Sequence, residues 1–509
     1  MSKDGSGVDF ASTSYGVGSR LSKPPSPELQ GFFQSTYLDQ VDAPAFVWSI
    51  EINMAHVVML MEQEIVSLDV ARQLLRVLEE LRQGGKEAFH FDVGIGDSLP
   101  NLENHVIRAL GDRVGGMLHT GRSRGDYYAT LSRMKIRQRL LDLARATIDF
   151  RKVLIELAAA HTATVMPGYT HLQHAQPITL GYYFCAFVHE LERDFGRVVD
   201  AYERMNRSPL GLGIISSSPY PLNRERTAEL LGFSGLLRNG RDLTDRDYSL
   251  EAASGAAIVM MHLHKLATDL YEWSTSEFGL VRVDDSDAMT SSMMPQKANP
   301  VLLEDIRART AFAIGDLVSV FAVTKGSAAN NIEQTDGDIP ALDAIYRTKA
   351  ALGIFAQSLP RMKFDTQRMK RLVSQHWSQA TDLADAIVGS TKLSFREAHR
   401  VVGALVARSI ASGTPPEAVS LANLNAAAES VLKERVDFSR LNLSDALDPQ
   451  KGLERRQVTG GPAPKLVRHD VEAARLQLEA DTIAQERAEG ILKSASRALQ
   501  EKTQRLLSG

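Results

Sequence analysis

Apolar residues fall along most of this chain at helical spacing. From Tyr127 to Met166 there is no Gly or Pro, and Leu131, Met134, Ile136, Leu140, Leu141, Leu143, Ile148 and Phe150 recur, many three or four residues apart. At 1.5 Å per residue this stretch predicts a rod of roughly 60 Å. Three further long helices are predicted over about 180–206, 248–278 and 300–325. Strand-like alternation is scarce and turn signals lie far apart, so the pattern predicts an all-α fold. The 248–278 stretch is rich in Ala and apolar on much of its circumference. Such a helix is expected to be buried on every side, which points to packing between copies of the chain; one large monomeric bundle is the other reading.

Breaks in the pattern divide the chain. The first thirty residues are rich in Gly, Ser and Pro and are expected to form an extended arm. Gly413-Thr414-Pro415-Pro416 interrupts a late helical region, and residues 455–464 form another loop signal before a last amphipathic helix from about His469. The expected division is an N-terminal arm and helical domain (1–126), a central long-helix domain (127–375) and a C-terminal helical domain (376–509). No internal repeat or low-complexity block is present.

Composition narrows the function. The 509 residues are 44% apolar and 24% charged, with 58 Lys plus Arg against 62 Asp plus Glu and a net charge of −4. That balance gives no electrostatic case for nucleic acid or an anionic membrane. The N-terminus lacks the apolar core of a secretory signal, and no uninterrupted apolar run suggests a bilayer span, so a cytoplasmic location is expected. The single cysteine, Cys185, excludes an intramolecular disulfide; its apolar, helical surroundings point to buried packing. There is no GxxxxGK[ST] loop, no HExxH pair, and no GxGxxG after a strand-like segment, so nucleotide-phosphate and zinc chemistry have no support.

Four polar, Gly- and Pro-containing stretches interrupt the helices: His119–Asp126, Met166–Thr179, Ser208–Arg224 and Thr290–Pro300. Loops on a rigid scaffold are favoured places for function. In the last, Thr290, Ser291 and Ser292 precede Lys297 and Asn299. The hydroxyls read either as caps for the helix after Pro300 or as part of a site that removes a proton beside a carboxylate. A serine can serve as that base only where its alkoxide is stabilised; Lys297 and Asn299 are suitable donors for the carboxylate. His171 lies in a loop suited to acid–base work, with His119 and His174 weaker candidates; structural packing is the alternative for each. Thr120, Arg122, Ser123 and Arg124 form a cationic, hydroxyl-rich loop suited to a dicarboxylate, or a solvated loop with Arg paired to Asp126.

These motifs resemble a known family. HTGRSRGD, MPGYTHLQHAQPIT, DRDY, SSMMPQKANP, and ATDLAD with SFREAH are similar, in order from about residue 100 to 465, to argininosuccinate lyase of the fumarase/aspartase superfamily. The resemblance implies three mainly helical domains in a homotetramer, a central twenty-helix bundle, and an active site shared by three subunits. It implies Ser291 as catalytic base, Lys297 and Asn299 as stabilisers of the aci-carboxylate, and the pair Thr170 and His171, with Glu304 hydrogen-bonded to that histidine. It places Ser123 and Arg124 at the substrate carboxylates and Arg246 near the site, with no metal or organic cofactor. The implied reaction is β-elimination of an N-substituted aspartate to fumarate and a free amine or amidine; a non-catalytic structural or binding paralogue is the alternative.

Several positions depart from the family. Gly125 replaces an Asn, which is expected to remove a donor and open space. Asn101-Leu102-Glu103 lacks the family's His. Gly211-Leu212-Gly213-Ile214 is bulkier than Gly-Ser-Gly-Ala, and Thr290 stands for a Gly. In 326–338, Asn330 aligns with a Tyr and Asp338 with a Lys. The catalytic positions are kept while those that read the substrate differ, so the substrate is expected to be argininosuccinate or another N-succinyl amine.

Overall fold

The computed structural model describes residues 26–32, 44–326 and 337–509. The arm expected over the first thirty residues falls almost wholly outside them. The longer helices are α1 (Ala45–Glu62), α2 (Leu68–Gly84), α3 (Ser98–Leu110), α4 (Arg124–Ala160), α5 (Leu180–Met205), α6 (Asp247–Trp273), α7 (Val301–Thr324), α8 (Asp338–Ser358), α9 (Thr366–Gln375), α10 (Ala380–Ser390), α11 (Phe395–Ser412), α12 (Leu421–Leu432) and α13 (Pro464–Ser508). The only sheets among the described residues are three two-stranded antiparallel pairs. The fold is all-α, as the pattern predicts.

Helices α4 to α8 form the central bundle. Helix α4 has 37 residues, about 55 Å of rod. Ser123 caps its start, and it ends at the His161 turn, just before β-branched Val165 and the Pro167-Gly168 pair. Chain direction alternates along the bundle. Arg133 at the start of α4 donates to the Met205 carbonyl at the end of α5 (2.8 Å), and Ser132 meets Tyr248 at the start of α6 (3.2 Å). Phe150, towards the other end of α4, stacks on Phe355 of α8 at 5.3 Å.

Helix α6 is covered mainly by α5, α7 and α8 of its own chain. Its buried Ala252, Ala253, Gly255, Ala256 and Ala257 let those neighbours approach closely. The sequence pattern did not single out α8, and it is the element that closes this side. Large apolar side chains stay exposed on α7, where Phe312 is 59% and Val318 60% exposed, on α8 at Tyr346, and on α6 at Met261.

A second core joins α1, α2 and α3 to Leu499 of α13. Helix α1 is apolar and long enough to cross a membrane by composition, but 78% of it is buried as the central element of this core. A third core gathers α10, α11 and α12 around Leu383, Val401, Leu405 and Leu424. Helix α13, expected within the C-terminal unit, lies along α4 and α5 and reaches the second core. Its position is tied by Arg151, fully buried on α4, which pairs with Asp481 of α13 and lies 3.5 Å from Glu192.

Removing one partner of a buried pair leaves the other charge uncompensated. Asp481→Ala is expected to lower stability by about 3 kcal/mol, whereas the double change Arg151→Met/Asp481→Leu costs much less; denaturant unfolding of both variants measures the difference.

Candidate active site

The Thr120–Asp126 loop is built from the inside outward. Arg122 is buried, donates to the side-chain Oδ1 of Asn53 on α1, and lies over the Tyr127 ring at 5.8 Å. His56, also buried, bonds the Thr120 carbonyl through Nε2 (2.8 Å); burial and the adjacent Arg122 push its pKa well down, keeping it neutral. Ser123 Oγ accepts the Gly125 N–H (3.2 Å), while Asp126 Oδ1 accepts the Ser123 N–H (2.9 Å). The other Asp126 oxygen accepts the N–H groups of Gly211 (2.8 Å) and Gly213 (2.9 Å), fastening the 208–224 loop onto this one. Asp126 therefore serves backbone amides and no arginine. Arg124 points outward and pairs with Asp97 at 3.1 Å.

Position 125 corrects one expectation. The missing side chain opens no space here: a Cβ on Gly125 would stand 2.5 Å from Ile214 Cδ1 and 3.5 Å from Leu243 Cδ2. Ile214, the bulky replacement in the neighbouring loop, fills the volume that Gly125 vacates. His119, a weaker acid–base candidate, is paired with Glu103, the residue standing where the family has His.

The Met166–Thr179 segment, expected as a loop, is a hairpin of β1 (Val165–Thr170) and β2 (Gln173–Thr179). Its period-2 pattern is masked by the bulge at Gly168, where an added Cβ would meet the Gln176 carbonyl at 2.8 Å. His171 and Leu172 form the two-residue tip with φ of 55° and 56°. Such turns favour Asn-Gly; bulky residues held in the left-handed region store strain, commonly at functional sites. Thr170 and His171 are thereby exposed at the tip. His174 is set back against Tyr169 and His376, and burial, then His376, lowers its pKa to about 4. It is a neutral packing residue.

The third loop rises between β3 (Val281–Arg282) and α7. Its base is closed by β4 (Met289–Thr290) against β5 (Ala298–Asn299) and is pinned by Asp287 to Arg361 (2.6 Å). Ser291 Oγ accepts the N–H groups of Met293 (3.2 Å) and Met294 (3.0 Å). The hydroxyls therefore do not cap α7, whose N-cap is Pro300 with no side-chain bond. Two N–H donors aimed at one hydroxyl oxygen favour its deprotonated form, as a serine base requires. Glu304 sits in the first turn of α7. Among the described residues, the side chains of His171, Lys297, Asn299 and Glu304 have no hydrogen-bond or ion-pair partner.

Arg246 is buried at the start of α6, 4.0 Å from Asp338 Oδ2. Asp338 also accepts from Ser132 and Ser249, so the acidic replacement is a buried anchor for the start of α8. Asn330 lies outside the described residues.

The chain matches the family model described as lyase over residues 42–315 and the argininosuccinate lyase C-terminal model over 377–454. It is 36% identical to argininosuccinate lyase 1 of Shouchella clausii over 91% of this chain and 93% of that protein. Against argininosuccinate lyase of Methanosarcina barkeri it is 38% identical, covering 87% and 90%. This chain belongs to the argininosuccinate lyase family. Among solved structures, EDDS lyase in complex with formate superposes with a TM-score of 0.84 at 31% identity, covering 96% of this chain and 97% of that one.

In this lyase the three loops do not meet within one chain. Ser123 starts α4, and the hairpin follows its far end, where Leu180 N–H bonds the Thr164 carbonyl. The Ser291 loop precedes α7, whose Thr310 meets the middle of α6 at Met260, so that loop also lies at the hairpin end of the bundle. What the sequence missed is the internal support: Asn53, His56 and Glu103 sit in helical stretches with no motif of their own.

Two measurements follow from this packing. Gly125→Ala should change stability little, because helix gain offsets displacement of Ile214, but in an Ile214→Ala background it should stabilise by about 0.5–1 kcal/mol; thermal unfolding of the four proteins reads the cycle. A neutral His174 contributes stability that is complete above the ordinary histidine pKa and lost as pH falls from about 6.5 towards 4. His174→Asn should therefore lose less stability than wild type over that window.

Proposed function

We propose that this lyase grips an N-substituted aspartate between copies of the chain and eliminates its amine through Ser291. The carrying observation is the pair of backbone N–H groups on Ser291 Oγ, on an exposed loop beside an unpartnered Lys297 and Asn299. The substrate is argininosuccinate or a related N-succinyl amine or amidine, and the products are fumarate and the free amine.

Ser123, Arg124 and Thr170, with Thr120 beside them, hold the succinyl carboxylates. Ser291 takes the Cβ proton, and the electron pair moves into the adjacent carboxylate. Lys297 and Asn299 stabilise the resulting aci-form by charge and hydrogen bonding. Collapse of that pair forms the C=C bond of fumarate and breaks C–N. His171, oriented by Glu304, returns a proton to the departing nitrogen. The strained tip at His171-Leu172 supports a functional role for that residue.

The separation of the loops by the length of α4 requires more than one chain per site. The exposed apolar face at Phe312, Val318, Phe321 and Tyr346 supplies the contact. A homotetramer with a twenty-helix core, five helices from each copy, covers that face and brings the ends of antiparallel bundles together. The domain division at 126 and 375 and the cytoplasmic location belong to the same reading.

Ser291→Ala is expected to keep the fold and lose elimination by about 10²–10⁴-fold. Arg124→Ala should also be nearly inactive. Co-expressed, the two variants should form mixed oligomers with activity well above either parent, because some sites receive an intact loop from each. A mixture as inactive as its parents would remove the shared site.

A further inference from the structure

The 208–224 loop lies directly on the loop that carries Ser123 and Arg124, and it exposes three large apolar side chains. Ile214 is 42%, Ile215 45% and Tyr220 48% exposed. Ile214 abuts Gly125, and Leu222 lies 2.9 Å from where a Cβ on Gly121 would stand. Two of the loop's serines are engaged within it: Ser217 Oγ donates to the Gly211 carbonyl (3.0 Å), and Ser218 Oγ accepts the Tyr220 N–H (3.3 Å).

The loop itself supplies no acidic acceptor for a cation. Residues 208–224 include no Asp or Glu. On the Ser123 side of the loop the carboxylates are engaged: Asp126 by three backbone N–H groups, Asp97 by Arg124, and Glu103 by His119; Asp242 and Asp245 are exposed on the other side, beyond Leu243. A guanidinium or ammonium laid against Ile214 would lose hydration without gaining a charged partner from this loop, whereas a hydrocarbon or aromatic substituent would gain contact with it.

We infer that Ile214, with Ile215 and Tyr220, forms the leaving-group wall of the active site, and that the amine released carries an apolar or aromatic substituent instead of a guanidinium. The inference rests on the placement of the succinyl carboxylates at Ser123 and Arg124. Ile214 is then a specificity-determining residue, and Gly125 is the small residue that makes room for it.

The test uses the full-length protein in the addition direction, with fumarate and a series of arginine, putrescine, hexylamine and benzylamine. Wild type should use hexylamine or benzylamine with a kcat/KM at least about tenfold above arginine. Ile214→Asp should lower that ratio by about tenfold or more while its oligomeric mass stays that of wild type. Preference for arginine by wild type would overturn the inference and leave the lyase reading standing. So would an Ile214→Asp variant that slows all amines equally, or that dissociates, marking the wall as a contact between copies. Absence of addition to every amine, together with no fumarate from any N-succinyl compound, would overturn the lyase reading and this inference with it.

Discussion

The length and rigidity of α4 constrain everything else in the molecule. An uninterrupted 37-residue helix holds Ser123 at one end and the Thr170–His171 hairpin beyond the other. No rearrangement of side chains closes a gap of about 50 Å. A chemistry that needs both loops on one small substrate must bring them from different chains. The alternating direction of α4 to α8 suits this, since copies packed antiparallel bring opposite ends into register. The apolar residues left outside on α7 and α8 are where such copies would meet.

Within each chain the loops are held differently, and the difference follows the task. The Ser123 loop is rigid, with a buried arginine beneath it and a buried carboxylate collecting three amides. Rigidity suits a group that positions carboxylates. The Ser291 loop is pinned only at its base, and its tip is open to solvent, with Met293 87% exposed. A loop of that kind can close over a substrate and exclude water once a ligand supplies the missing contacts. The two backbone amides on Ser291 Oγ are already in place without a ligand, as the proposed serine base would require.

Much of this was legible in the sequence. Helical periodicity located α4, α5, α6 and α7 to within a few residues, because long apolar-periodic runs carry their own signal. The candidate loops stood out as polar interruptions, and their order resembled that of the family to which the chain belongs. Tertiary packing was less legible. Helix α8 has no side-chain cap at its start, so its role in covering α6 emerged only with the fold. The hairpin was hidden by its Gly168 bulge. Gly125 and Ile214 are eighty-nine positions apart, and nothing local shows that one fills the space left by the other. The same holds for Asp338: read alone it is a charge reversal, and in the fold it anchors a helix start beside Arg246.

The central claim is that one substrate is held by loops from different copies, with Ser291 at the reacting carbon. A crystal structure of the assembled protein with bound succinate tests it most directly. The account predicts one carboxylate at Ser123 and Arg124 of one copy, the other at Lys297 and Asn299 of another, and Ser291 Oγ within about 3.5 Å of a methylene carbon. Succinate bound wholly by residues of a single chain, or remote from Ser291, would contradict it.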